Sequence, residues 1–275
     1  YNTMVAAHAR QGDLAKSVQW FERMGEAGVR PDQRTYNTVI NAFAKKGDTD
    51  KSMAWVAKME DAGMRPNVVT YTTVVGAFAA RGDLAGSVEW FEKMEGAGVK
   101  PDTFIYNTMV NAFVKQGDLD KSVQWIEKME NAGVRLDEVT YSTMVNACAK
   151  QGDIASSLQW VEKMVHAGMK PTVVTFNSLV SAYARHGDIA GSTLWIDRMQ
   201  KAGVKPDVAT YTTMVGALAR QGDAAGCMEW VRKMEDAGVT PNGATYRTVV
   251  GLYTKLGDAA KSAEWSGKMK AAGFA

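Results

Sequence analysis

Asn37, Asn41 and Lys45 stand four residues apart, the spacing that lines three side chains along one face of a helix. The same places hold Asn107, Asn111 and Lys115, then Ser142, Asn146 and Lys150, then Asn177, Ser181 and Arg185, then Thr212, Gly216 and Arg220. Amides, hydroxyls and a cation in one line exchange hydrogen bonds with a polar partner and neutralise an anion. They do not make a nucleophile and its base. His8, His166 and His186 fall at scattered places, none at metal-ligand spacing from another His or from a Cys. Cys148 and Cys227 occupy different places in their surroundings and read as small core residues of a reducing compartment. No catalytic residue, metal site, cofactor or small-molecule substrate is expected.

The elements that position this line repeat. Tyr1, Tyr36, Tyr71, Tyr106, Tyr141, Phe176, Tyr211 and Tyr246 are thirty-five residues apart, and so are Trp20, Trp55, Trp90, Trp125, Trp160, Trp195, Trp230 and Trp265. A period that never drifts marks a stacked array in which each unit buries its apolar face against its neighbours. In the unit 33–67, Tyr36, Val39, Ile40 and Phe43 follow the i, i+3, i+4, i+7 pattern of a helix facing other helices. Gly47 stops that helix and Asp48 caps the next, which runs past Met53, Trp55, Val56 and Met59 until Gly63 and Arg65-Pro66 end it. Each unit is therefore a helical hairpin, and the chain an all-α solenoid. The recurring Trp and Met could suggest a stacking box, but their helical spacing in every unit assigns them to packing. About eight units are expected, at 1–32, 33–67, 68–102, 103–137, 138–172, 173–207, 208–242 and 243–275, as one array. The first residue already lies within a unit and the last unit stops at Ala275, so both ends are expected to be truncated, with any targeting peptide upstream.

Net charge is +2, so affinity for a polyanion must come from the placement of charge and not from its total. Apolar runs are only a few residues long, so no membrane insertion is expected.

At these motifs, of which VTYSTMVNACAKQGD and FEKMEGAGVKPD are two, the chain resembles the pentatricopeptide repeat family over essentially its whole length. The resemblance implies a right-handed superhelix of helix-turn-helix units. It also implies single-stranded RNA as partner, one nucleotide per unit along the first helices, in a mitochondrion or chloroplast. Members with a deaminase-like extension carry His-x-Glu and Cys-x-x-Cys, and neither occurs here. The resemblance assigns base choice to the residue after the first-helix Tyr and the last residue of the unit. The pairs are Asn2 with Asp32, Asn37 with Asn67, Thr72 with Asp102, Asn107 with Asp137, Ser142 with Thr172, Asn177 with Asp207, and Thr212 with Asn242.

The chemistry agrees. Uracil and guanine offer an imino N–H that an ionised Asp accepts, whereas cytosine and adenine offer a lone pair that wants the amide donor of Asn. A long Asn at the first place reaches a pyrimidine, and Thr or Ser leaves room for a purine. The expected order is U, C or U, G, U, a purine-leaning fifth place, U, A. Arg247 departs from the pattern in the eighth unit.

Two further sets fit an RNA groove. Val69, Phe104, Val139 and Val174 stand two before the aromatic, where the family wedges side chains between bases; the alternative is packing on the neighbouring unit. Arg10, Lys45, Lys115, Lys150, Arg185, Arg220 and Lys255, with Arg81 displaced by one, offer a cation per unit to phosphate; the alternative is complementing a helix dipole. The two functions in view are a sequence-selective RNA adaptor for stabilising, processing or translating a transcript, and a structural subunit of an organellar ribosome or other large complex that contacts ribosomal RNA or protein.

Overall fold

The computed structural model describes residues 1–274. Those residues form sixteen helices and no strand. The first helices are α1 (Asn2–Arg10), α3 (Gln33–Lys45), α5 (Val68–Arg81), α7 (Thr103–Lys115), α9 (Glu138–Gln151), α11 (Val173–Arg185), α13 (Val208–Gln221) and α15 (Gly243–Lys255). The second helices are α2 (Leu14–Glu26), α4 (Thr49–Asp61), α6 (Leu84–Gly96), α8 (Leu119–Asn131), α10 (Ile154–His166), α12 (Ile189–Lys201), α14 (Ala224–Asp236) and α16 (Ala259–Ala271). The chain divides into two units, Tyr1–Thr140 and the remainder from Tyr141. In each, helical hairpins stack on one another, first helix against first helix, as a solenoid requires.

One hairpin shows why the sequence folds this way. Gly47 takes φ +74°, a left-handed conformation that only glycine adopts cheaply, and lets the Asp48 amide donate back to Phe43 O at 3.1 Å. The Asp48 carboxylate then accepts from the Lys51 amide at 3.1 Å and starts α4. Tyr36, Val39, Ile40 and Phe43 are buried on α3, and Trp55, Val56 and Met59 on α4, as their spacing predicts. A buried hydroxyl joins the two helices: Ser52 Oγ donates to Asp48 O at 3.0 Å and lies 3.3 Å from Ile40 O. Ser87, Ser122, Ser157 and Ser192 repeat this seat, and Cys227 fills it with a thiol 3.3 Å from Val215 O. Burial pushes the Cys227 thiol up to about 12 and the Cys148 thiol up to about 11, so both stay protonated packing groups.

Between units the second-helix aromatics meet edge to face, Phe21 on Trp55 at 4.7 Å and Phe91 on Trp125 at 4.6 Å. The outer edge of the Trp row is covered by cations, with Lys58 4.5 Å from the Trp55 ring and Arg198 4.6 Å from the Trp195 ring. Met59, Met94, Met129, Met164, Met199 and Met234 are fully buried beneath. Among the described residues, no helix is long and apolar enough to cross a membrane.

Because the Met row is buried on every side, deletion of one member leaves a cavity that stacked helices fill only in part. Met94→Ala is expected to lower unfolding free energy by about 2–5 kcal/mol, measured by denaturant titration. A change well under 1 kcal/mol would show that the row is not core.

Candidate nucleic-acid interface

The last residue of each unit begins the next first helix. Its side-chain oxygen accepts from the amide three residues on: Asp32 from Thr35 at 2.8 Å, Asn67 from Thr70 at 3.1 Å, Asp102 from Ile105 at 3.0 Å, Asp137 from Thr140 at 2.9 Å, Asp207 from Thr210 at 2.9 Å and Asn242 from Thr245 at 3.0 Å. Thr172 stands in the same place, with its amide 3.3 Å and its hydroxyl 3.4 Å from Thr175 Oγ1. The cap fixes each closing side chain at a helix start, where its remaining polar edge is exposed or half-buried.

The structure brings four of the seven expected pairs into hydrogen-bond contact. Asn107 Nδ2 donates to both Asp137 oxygens at 3.0 and 3.1 Å, and Asn177 Nδ2 to Asp207 at 3.0 Å. Asn2 Nδ2 lies 3.4 Å from Asp32, and Asn37 Nδ2 3.4 Å from Asn67 Oδ1. The shorter side chains at the first place bond elsewhere: the hydroxyls of Ser142 and Thr212 pair with those of Thr175 and Thr245, at 3.3 and 2.9 Å. Thr72 Oγ1 is buried and has no partner among the described residues. Its unit differs because Ile105 stands where the others carry Thr.

That threonine, immediately before the first-helix aromatic, was not singled out from the sequence. Thr35, Thr70, Thr140 and Thr210 are buried, and each hydroxyl stands between two acceptors: the Oδ1 of Asn2, Asn37, Asn107 or Asn177, and the Oδ1 of the closing Asp32, Asn67, Asp137 or Asp207, the Asn being the nearer for all but Thr35. The signal is visible in the repeat register, since Asn2, Asn37, Asn107 and Asn177 are each followed by a Thr thirty-three residues later.

The expected wedges are solvent-facing. Val69, Phe104, Val139 and Val174 are between 57% and 68% exposed, which removes packing on the neighbouring unit as their main role. Within residues 1–140 three cavities follow one another, the first two sharing Arg34 and the second and third sharing Val69. One of about 290 Å³ is lined by Asn2, Asp32, Arg10 and Arg34; the next, about 410 Å³, by Arg34, Asn37, Asn67 and Val69. The third, about 530 Å³, is lined by Val69, Thr72, Asp102, Phe104 and Lys45. It is the largest of the three where Thr72 is shorter than Asn and Gly76 stands in the place that Asn41 holds one unit earlier.

The cations divide into two kinds. Arg10, Lys45, Lys115, Lys150 and Lys255 are exposed at the ends of their helices. Arg185 and Arg220 are exposed too, but their guanidinium groups lie on the carbonyl end of the preceding first helix: Arg185 Nη2 donates to Ala149 O at 2.8 Å and Nη1 to Lys150 O at 3.4 Å, and Arg220 Nη2 to Ala184 O at 3.1 Å. Arg81 Nη1 donates to Thr49 Oγ1. For Arg185 and Arg220 the helix-end role is realised in the fold itself, whereas Arg81 bonds a hydroxyl at the start of α4. Among the described residues, no group of three or more His, Cys, Asp or Glu could hold a metal ion.

Such an arrangement is a helical-hairpin repeat protein whose first helices display paired polar groups, apolar spacers and cations. The profile of the PPR repeat family matches residues 1–45, 32–80, 101–150, 171–220 and 206–255, and the PPR repeat profile matches 69–99 and 139–169. The chain belongs to the PPR repeat family. Among solved structures it is similar to the pentatricopeptide repeat protein PPR10 in complex with an 18-nt psaJ RNA element, with TM-score 0.83 and 27% identity over 100% of this chain and 40% of that one. PPR10 from maize gives TM-score 0.70 at 23% identity, covering 98% and 43%. The PPR domain of Arabidopsis thaliana protein-only RNase P 1, in complex with tRNA, gives 0.51 at 16%, covering 61% and 89%. The chain thus spans about two fifths of the PPR10 chain. No curated protein matches it in sequence.

The caps carry a pH dependence. Hydrogen bonds from the Thr35 hydroxyl and amide hold Asp32 below the usual carboxylate value of 3.8. Partial burial pushes Asp137 and Asp207 up, but the bonds from the Thr140 and Thr210 amides and from Asn107 and Asn177 outweigh it, so both also lie below 3.8. Depressed carboxylates stabilise the fold fully above the unfolded value and lose that contribution as pH falls through the folded one. The melting temperature is therefore expected to hold from pH 7 to about pH 5 and to fall below about pH 4, with a shallower acid limb in Asp137→Asn. An acid limb identical in that variant would show that Asp137 is not among its causes.

Proposed function

We propose that this chain binds single-stranded RNA sequence-selectively, one nucleotide per repeat, reading 5′-U-(C/U)-G-U-(purine)-U-A-3′ from its first to its seventh reader pair. The observation that carries the reading is the row of three cavities within residues 1–140, each lined by one reader pair, with Val69 lining the second and third and Phe104 the third. A base entering the third would lie between Val69 and Phe104, with Asp102 free to accept the imino N–H of guanine through the edge not used by the cap. Phe104 offers the one aromatic stacking face among the wedges, worth about 1–3 kcal/mol per base in other single-strand binders. Membership of the family and likeness to PPR10 with its bound RNA element support the same partner.

Within the proposal the chain has no catalytic role and works as an adaptor in organellar RNA metabolism, in a mitochondrion or chloroplast. The organelle rests on family membership alone.

Replacing Asp102 by Asn keeps the helix cap but turns an acceptor into a donor. In binding to seven-nucleotide RNAs varied at the third base, preference is expected to move from G toward A. An unchanged G preference would remove this pair from base choice. The salt dependence separates the cations: each lysine–phosphate contact contributes a slope of about −0.7 in log affinity against log salt. Lys115→Gln is expected to reduce the slope by about that amount, and Arg185→Gln by less, because its guanidinium already serves helix carbonyls. Equal losses at both would contradict the division.

A further inference from the structure

Four Asn readers have their amides held from both sides, and the direction of those bonds determines what each pair can show to a base. The starting point is a donor whose identity is fixed, the backbone N–H of Thr140. It points at Asp137 Oδ1 at 2.9 Å, so that carboxylate is committed as acceptor on its inner side. Whichever end of the Asn107 amide meets the carboxylate must then be the NH2 group, found 3.0 and 3.1 Å from the two oxygens. Its carbonyl end is left to face Thr140, whose hydroxyl lies 2.5 Å from Asn107 Oδ1 and 2.9 Å from Asp137 Oδ1; because that carboxylate oxygen already accepts from the Thr140 and Asn107 amides, the single hydroxyl proton goes to the nearer acceptor, Asn107 Oδ1. In the sixth repeat Thr210 N donates to Asp207 Oδ1 at 2.9 Å, Asn177 Nδ2 to the same oxygen at 3.0 Å, and Thr210 Oγ1 to Asn177 Oδ1 at 2.6 Å.

The consequence is a fixed amide orientation. An unrestrained Asn can present either its carbonyl or its NH2, and the two differ by a half-turn about one bond. With Oδ1 occupied by the threonine and one Nδ2 hydrogen by the closing residue, the second Nδ2 hydrogen remains for a ligand. Beside it stands a carboxylate that still has lone pairs. The edge offered is donor then acceptor, complementary to a uracil carbonyl and its neighbouring imino N–H. A flipped amide would offer acceptor and acceptor, and would set its oxygen against the carboxylate.

We infer that the threonine immediately before the first-helix aromatic, Thr35, Thr70, Thr140 or Thr210, is a third specificity-setting position that acts by positioning the Asn reader. This rests on the reading of the pairs as base selectors. The one place in this series without a hydroxyl, Ile105, follows by thirty-three residues Thr72, a reader with no amide to orient; the hydroxyl readers Ser142 and Thr212 instead pair with the hydroxyls of Thr175 and Thr245. The threonines are fully buried, so they shape the pair without touching a base themselves.

The test uses the whole chain and the RNA 5′-UCGUAUA-3′ with its fourth or sixth base varied. Thr140→Val removes the hydroxyl while keeping the β-branch and the amide that Asp137 caps. Preference for U over C, A and G at the fourth base is expected to fall roughly three- to tenfold, the size of one net hydrogen bond. Preference at the sixth base, set by Asn177 and Asp207, should not change, whereas general misfolding would degrade both. Thr140→Ser returns a hydroxyl and is expected to restore most of the fourth-base preference. Asp137→Asn serves as the separate check on the pair itself. If it shifts the fourth base toward C while Thr140→Val leaves U preference intact, the threonine is only a helix residue and the inference falls. If neither variant alters the fourth base, the two-residue reading fails and takes the inference with it.

Discussion

The first amides of an α-helix have no partner within it, and in a stacked array they lie where water does not reach every one of them. Six of the first helices here, α3, α5, α7, α9, α13 and α15, meet that demand with the last side chain of the preceding unit, which accepts from the amide three residues on. Only short side chains with an acceptor close to the backbone can do this, chiefly Asp, Asn, Ser and Thr. The same residues are the ones able to distinguish an imino N–H from a ring lone pair. The alphabet at the closing place, Asp, Asn or Thr, is therefore restricted by helix formation before any ligand is considered. A cap uses one oxygen, and what remains of the side chain faces outward.

What holds these groups at constant intervals is the monotony beneath them. The Met row, the Trp row with its covering cations, and the buried Ser or Cys seat between helices recur with hardly a change. Where one side chain shrinks, another fills in: a Cβ at Gly86 would stand 2.4 Å from the Phe78 ring, so the ring occupies the space the glycine leaves. Leu136 stands in the place that holds Pro31, Pro66 and Pro101 in the three preceding units, and it is buried, so an apolar side chain there keeps the joint covered without proline. Constancy in the core is what allows variation on the first-helix face to leave the spacing unaltered.

Much of this was legible in the sequence because the signals are local. Gly47 followed by Asp48 marks a helix end and a helix start within two residues, and Tyr36 to Phe43 shows its buried face within two turns. That four of the expected pairs meet was legible only through resemblance, since their members lie thirty residues apart. The Thr140 bond to Asn107 joins residues thirty-three apart on different helices, and nothing in either residue's own surroundings announces it. The carbonyl contacts of Arg185 reach back thirty-five and thirty-six residues, so periodicity placed the cation correctly but could not show which of its neighbours it serves.

That difference between Lys and Arg follows from their shapes. A guanidinium is a planar fork that can meet two carbonyls at once, and the bare carbonyl end of a first helix in the preceding unit supplies them. An ammonium on a flexible stem makes fewer directed bonds there and is left in water at the same place. Lys115 and Lys150 thus keep their charge toward solvent, while Arg185 and Arg220 divide theirs between a helix end and whatever approaches the face. A polyanion laid along the first helices would find its mobile countercharges at the lysines. Arg185 and Arg220, fixed by the fold, instead tie α11 to α9 and α13 to α11, and so hold the spacing of the paired polar groups there.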